Sequence, residues 1–587
     1  MHRATEKVGC AFGSRIRGRA GPRAPGSGAS RWLVAVALTF LAGSVGASTY
    51  QHGDWMLNFD NSIAYSLGAR VEHQDPRILY HPAFYAGDEK FPDPGDIVTN
   101  RLSDLMEIQA VYKGQYGFRV SGTFFKDFAY TDREKIPEKI GDFYESLGLP
   151  ASAACNYENC RYSGYTKRNF KQGAELLDAF AFANTEIGGH NVYLKAGRLT
   201  SYWGNAFFFG FSNIAYSQSP IDYIKGFTQP GSEVKELFLP RTQVSARVDL
   251  TPTASVEAQY FLEYASDRFP ESGTYLGFFN PLYDGPERTS FVASGLVQGI
   301  QDAPDENANF GIKFSWRPEW AAGDLGFYYR QFDEVMPWNA LVNPENQKLY
   351  DPVARKATLA GISYERTFGL INIGMEVSKR WDTALLSAAL VESKAGATGE
   401  LTNVIANTLV QLGQTPIWDT GILIAELSYT HLDAVTGNKD LYNGTKTANC
   451  VHVNSDGTVE PGNWKDGCAT DNALAVALLF DPQWTQVFPG VDLDMPISYT
   501  YGISGNPAYA ASAFYPEKTN IYSIGLKALI RQRHTLSLTY LGYHWRPNGV
   551  ASPFGPDVPP SYSGFGGAGP VSLNDRGWLQ LQLKTSF

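Results

Sequence analysis

Long apolar runs are almost missing from this 587-residue chain. Apart from Trp32 to Ala42, nothing approaches the roughly eighteen apolar residues that a membrane-spanning helix needs, which excludes a helical membrane protein. Histidine is scarce too: nine residues, scattered, with no H-x-x-x-H pair and no acid at ligand spacing, so metal catalysis finds no foothold and no cofactor is implied. No G-x-S-x-G elbow occurs. Gly564 to Gly569 matches G-x-G-x-x-G, but it follows Pro-Pro-Ser-Tyr-Ser rather than a strand and opens no helix, so it reads as a flexible loop. An enzyme is not expected. Basic residues are outnumbered, 49 Lys and Arg against 59 Asp and Glu, which argues against nucleic acid as a partner.

Cysteine is the last scarcity. Of five, Cys10 lies in the leader described next, and the other four fall as two local pairs in polar stretches, Cys155 with Cys160 and Cys450 with Cys468. No further His or Cys completes a four-ligand tetrahedral set around either pair, and an even number in an exported chain points to two loop-stapling disulfides. Export itself is read from Met1 to Ala47. Seven basic residues and the single acid Glu6 precede the apolar stretch, and Val45-Gly46-Ala47 supplies the small residues of a cleavage site, as in a secretory signal peptide cut after Ala47. Losing seven bases and one acid takes the net charge from −10 to about −16.

What the chain has in quantity is aromatic residues, 33 Tyr, 35 Phe and 12 Trp, and long period-two alternation. From Trp55 the odd positions Leu57, Phe59, Ile63, Tyr65, Leu67 and Val71 are apolar, while Asp60, Ser62, Ser66, Arg70 and Glu72 occupy even ones. A strand of this length crosses the hydrocarbon at a tilt, apolar side to lipid and polar side to a lumen. The chain also closes on such a strand, Leu579, Leu581, Leu583 and Phe587 on one face and Gln580, Gln582, Lys584 and Ser586 on the other. Short connections such as Gly114-Gln115-Tyr116 alternate with long polar ones such as Thr131 to Lys171. The expected fold is all-β: a transmembrane antiparallel β-barrel of about 16–18 strands with long extracellular loops, spanning residues 48–587 in the outer membrane.

Two connections look unlike plain loops. Tyr202 to Phe238 holds Phe207, Phe208, Phe209 and Phe211, an apolar patch that no exposed loop keeps, so it is expected to enter the barrel as a lumen insert. Thr383 to Leu412 carries Leu401, Val404, Ile405, Thr408, Leu409 and Leu412 at helical spacing and reads as a helical insert. Ionisable residues crowd the first of these and the strands beside it: Glu175, Asp178, Arg198, Asp222, Lys225, Glu233, Lys235 and Glu236. Charge on a lipid face is costly, so this set, with Trp203, is expected to face the lumen as a constriction or as a salt-bridge network that holds the insert.

Motifs spread over the mature chain resemble the DUF1302 family of proteobacterial outer-membrane barrels. They are Ala69-Arg70 with Asp75-Pro76, Asn100-Arg101, Val120-Ser121-Gly122, Glu175 to Phe180, Gly197-Arg198, Tyr202-Trp203-Gly204, Pro220-Ile221-Asp222, Pro230-Gly231, Lys235 to Pro240, and Gln486 to Leu493. The resemblance implies a barrel that works beside a DUF1329 protein and an RND-type transporter in the handling of hydrophobic compounds. Two functions compete. One is an outer-membrane channel or translocation component for hydrophobic or amphipathic small molecules; the other is a scaffold or adhesion barrel presenting its disulfide-stapled surface loops.

Overall fold

The computed structural model describes residues 48–79, 90–146, 148–155, 157–229, 237–271, 273–277, 297–298, 303–304, 308–338, 341–350, 352–388, 391–454, 458–509, 515–547, 550–551, 561–562 and 571–587. The leader and its cleavage after Ala47 lie outside them.

Twenty strand segments share one antiparallel sheet. Two are not separate staves. The short segment Ser48–His52 pairs only with the start of the first long strand, end to end with the carboxy-terminal strand, and one stave is broken in two at Met495 and Pro496. The remaining eighteen are β1 Trp55–Arg70, β2 Ile97–Tyr112, β3 Tyr116–Asp127, β4 Gln172–Ile187, β5 His190–Leu199, β6 Arg241–Thr251, β7 Ala254–Phe261, β8 Asn309–Trp316 and β9 Asp324–Phe332. They continue as β10 Ala357–Phe368, β11 Ile371–Ala384, β12 Thr398–Leu412, β13 Thr420–Gly437, β14 Asn472–Phe488, β15 Val491–Asp494 with Ile497–Ser504, β16 Asn520–Ile530, β17 His534–His544 and β18 Trp578–Ser586. β18 pairs back onto β1, Leu581 opposite Leu67 and Gln582 opposite Ser66, so the eighteen staves close into a barrel.

The alternation of the sequence sorts onto the two sides of this wall. Leu526, Leu538 and Leu581 lie in one cross-strand row and are 50%, 44% and 45% exposed, while Ser66, Arg70 and Gln580 on the other face are buried. A closed antiparallel barrel with a polar inside and a greasy outside satisfies every backbone group within a bilayer, and it places the protein in the bacterial outer membrane. On that geometry Leu581→Arg should destabilise the folded barrel by about 2–4 kcal/mol, whereas Ser537→Arg, which faces the lumen from β17, should cost far less. Denaturant titrations of the protein refolded into vesicles separate the two; equal costs would mean the facing is wrong.

Thr398 to Leu412 corrects the sequence reading. It is no helical insert but strand β12, paired over its length with β11 and β13. Leu401 and Ile405 point inward and are fully buried, while Val404, between them, faces out beside Tyr429 and Val377. With apolar residues on both faces the strand loses its period of two, and the remaining spacing imitates a helix.

Short turns lie at one end, the periplasmic one, and nine long connections at the other. The described parts of these nine gather together. Ile78, Tyr157, Phe227, Phe269, Met336, Leu386, Tyr442, Tyr509 and Trp545, one from each, belong to a single buried cluster that reaches down to Leu401, Leu541 and Trp578 on the strands. Burial at roughly 1.5–3 kcal/mol per large apolar side chain makes this roof a cohesive unit. Both disulfides lie within it or beside it, Cys155 with Cys160 and Cys450 with Cys468.

Candidate functional site

The connection between β5 and β6 leaves the wall at Thr200 and runs into the barrel interior. Its first anchor is Trp203, 3% exposed, whose Nε1 donates to Glu257 Oε1 of β7 at 3.2 Å. Gly204 then turns the chain at φ +93°, with Glu376 so close that a Cβ would meet its Oε1 at 2.3 Å. Only glycine allows that approach and that φ together. The turn aims five successive amides at two carboxylates. Asn205 and Ala206 donate to Glu376 on β11, the latter at 3.0 Å, and Phe207, Phe208 and Phe209 donate to Glu426 on β13 at 2.6, 2.9 and 2.6 Å. Both acids are 1% exposed and alternate with the outward-facing Met375, Val377 and Leu427, so they stand on the inner wall.

Phe209 drops between Ile405, Ala475 and Ala477 of the wall and meets Tyr515 edge-on at 4.8 Å. The chain returns past Ile214 and Tyr216, whose carbonyls accept from Arg330 Nη1 on β9 at 2.9 and 2.7 Å. The segment thus crosses the interior from β7 to β14 and back. Tyr202 and Phe207 keep 38% and 43% of their surface exposed.

Above this insert sits a charged knot. Arg268 donates to Glu175 of β4 at 2.6 Å and to Asp222 at 3.4 Å, and Lys225 Nζ lies 3.5 Å from Glu175 and 3.9 Å from Asp222. Asp222 also caps the short helix Tyr223–Thr228, accepting from the Lys225 amide at 3.0 Å. A small cleft beside the knot is lined by Arg101, Phe125, Arg168 and Asn169. Of the residues singled out in the sequence, Glu175, Asp222 and Lys225 therefore meet here. Asp178 does not: it lies 3.2 Å from Arg119, which also binds Glu107. Arg198 is a correction. It pairs with Glu263 at 3.0 Å, not with Glu175 or Asp178, and it stands opposite Ala179, itself opposite the outward Val120, so it faces out of the barrel at the rim. Lys235 and Glu236, like Glu233, lie outside the described residues.

Glu376, Glu426 and Arg268 were not found from the sequence. The signal exists for Glu426, which interrupts an apolar and hydroxylic inner face, but not for Glu376, which shares its face with Asn372 and Arg380. Arg268 sits in an irregular connection with no period to place it. Among the described residues no three His, Cys, Asp or Glu side chains gather as a metal site.

In the loops, Asp267 accepts from the Ile221 amide at 2.7 Å and is buried. Burial without a partner cation pushes its carboxyl up to about 7, and burial likewise raises Glu334, against the pull of Arg380. A carboxyl whose folded value is raised favours the protonated form, so the contact between these loops is strongest at low pH and weakens as pH climbs from about 4 through 7. Limited proteolysis of the surface loops should accelerate between pH 5 and pH 8, and Asp267→Asn, which keeps the oxygen for Ile221, should flatten that dependence.

The family model described as "Protein of unknown function (DUF1302)" matches residues 28–587. No curated protein matches the chain in sequence. Among solved structures the chain is similar to Acinetobacter baumannii OccAB2, at 10% identity and TM-score 0.40, and to OccAB4, at 8% and 0.41; each match covers 90% of this chain and 98% of the other. It is also similar to the outer membrane protein OpdK of Pseudomonas aeruginosa, at 9% and 0.38 with the same coverage.

Proposed function

The chain belongs to the DUF1302 family, and from that premise we propose that it is an outer-membrane channel or translocation component for hydrophobic or amphipathic small molecules. The observation that carries this reading is the insert: two inner-wall carboxylates hold five consecutive amides and so fix an aromatic segment across an eighteen-stranded lumen at a depth where a plain scaffold needs nothing. Tyr202 and Phe207 offer their rings beside polar wall groups, a surface suited to a solute with an apolar body and a polar end. The aromatic roof extends the same character to the outer mouth. A DUF1329 protein and an RND-type transporter are the partners that family membership suggests for the periplasmic side.

Purified protein in liposomes provides the test. An amphipathic aromatic solute should enter faster than a sugar of similar mass, and Phe207→Ala should narrow that preference. No flux of either solute, with or without a periplasmic partner, would remove the reading.

A further inference from the structure

Where the returning arm of the insert meets β6 to β9, the wall carries buried donors that find no acceptor. Arg241, Gln259, Asn309 and Arg330 stand on those four consecutive strands, each at most 3% exposed. Gln259 and Arg330 alternate with the outward Tyr260 and Tyr329 and flank Gly311, where a Cβ would lie 3.0 Å from both Gln259 Nε2 and Arg330 Cγ.

The bonds these side chains already make determine what is left over. The Trp203 amide donates to Gln218 Oε1 at 2.6 Å and Gln218 Nε2 donates to Gln259 Oε1 at 3.0 Å, so the relay uses the oxygen of Gln259 and leaves its Nε2. Asn309 Oδ1 accepts from the Asp333 amide at 3.0 Å, leaving Nδ2. Arg241 gives Nε and Nη2 to the carbonyl of Glu263, at 3.1 and 3.0 Å, and Arg330 gives only Nη1 to the insert. Arg241 Nη1, Gln259 Nε2, Asn309 Nδ2 and Arg330 Nε and Nη2 remain, all buried and none with a hydrogen-bond partner.

The two guanidinium groups are close enough to feel each other's charge. The Asp333 carboxylate is bonded to the amide and Nζ of Lys356 at 3.0 and 3.5 Å, and Arg241 feels its charge and that of Glu263; no acid acts in this way on Arg330. Arg380, further along the same row, stands apart against the Tyr216 ring at 3.8 Å. Buried donors of this number need an acceptor, and the buried charge of Arg330 needs an anion. Water accepts two bonds and brings no charge; a carboxylate has about four acceptor sites and matches a guanidinium edge.

We propose that Arg241, Gln259, Asn309 and Arg330 form a binding site for a small carboxylate, and that its occupant locks the insert to the wall through Gln218, Ile214 and Tyr216. The site is independent of whether the barrel conducts. The test uses the purified full chain in detergent, with sodium formate as probe and sodium chloride at equal ionic strength as the other arm. Formate should raise the thermal midpoint saturably and change the emission of tryptophan, Trp203 lying in the relay; chloride should do neither. Gln259→Glu keeps an oxygen for Gln218 and sets a carboxylate among the donors. It should raise the midpoint without formate and weaken the formate response by at least about tenfold. No saturable formate effect, an equal effect of chloride, or an unchanged formate response in Gln259→Glu would each overturn the proposal.

Discussion

Replacing one inner-wall acid, Glu426→Ala, is expected to release the aromatic insert while the barrel stays closed. Glu426 accepts the amides of Phe207, Phe208 and Phe209 and also Asn407 Nδ2 at 3.3 Å. Hydrogen bonds to a charged group contribute about 1.5–3 kcal/mol each, and their loss strands three donors that the loop cannot redirect to the sheet. Even with strong non-additivity the docked arrangement should lose about 3 kcal/mol, a hundredfold or more in the ratio of docked to released insert. Ser212, 1% exposed and bonded to Ser428, reports on this directly. A cysteine placed there should react with a soluble thiol reagent about a hundred times faster in the Glu426→Ala background, and single-channel conductance in planar bilayers should rise. Glu426→Gln keeps one acceptor oxygen and should fall between. Unchanged reactivity with unchanged conductance would mean that the apolar packing of Phe209 suffices and that the carboxylates do not hold the insert.

The second large effect is expected from Arg268→Ala. This side chain bridges Glu175 on the wall and Asp222 in the insert, and its removal leaves two carboxylates facing Lys225, with Asp222 and Lys225 only 3% and 7% exposed. Breaking a fully buried pair costs 3–5 kcal/mol, but Arg268 and Glu175 are 27% and 20% exposed and partly screened, so about 2 kcal/mol is the better figure, near thirtyfold in local opening. Hydrogen exchange in the helix Tyr223–Thr228 should quicken by that factor while the strands keep their protection. Arg268→Lys should recover part of it, as a single point charge without the two-pronged geometry. Exchange rates equal to the wild type would show the knot to be a bystander of the aromatic roof.

The barrel was legible because a bilayer imposes a simple rule on each stave: alternate, at a length that crosses the membrane, with turns of strictly different length at the two ends. Trp55 to Arg70 and the closing strand Trp578–Ser586 obey it and are recognisable alone. β12 breaks it, since Leu401 and Ile405 of its inner face pack against buried loop and insert residues while Val404 and Val410 stand on its outer face, so apolar residues occur on both and the period disappears. The same limit hid the site. That Glu175, Asp222 and Lys225 belong together could be inferred from their sign and their neighbourhood in the chain. That Arg198 turns outward to Glu263 could not, because a single bulge opposite Val120 shifts which residues of β4 share its face. The amino-acid sequence by itself determined the closed antiparallel barrel, its membrane facing and the aromatic character of its insert, all consequences of local periodicity. Only the tertiary structure decided which wall residues meet that insert. Glu376 and Glu426 lie more than 160 residues from the amides they hold, and such pairings depend on register and closure around eighteen strands, which no local pattern encodes.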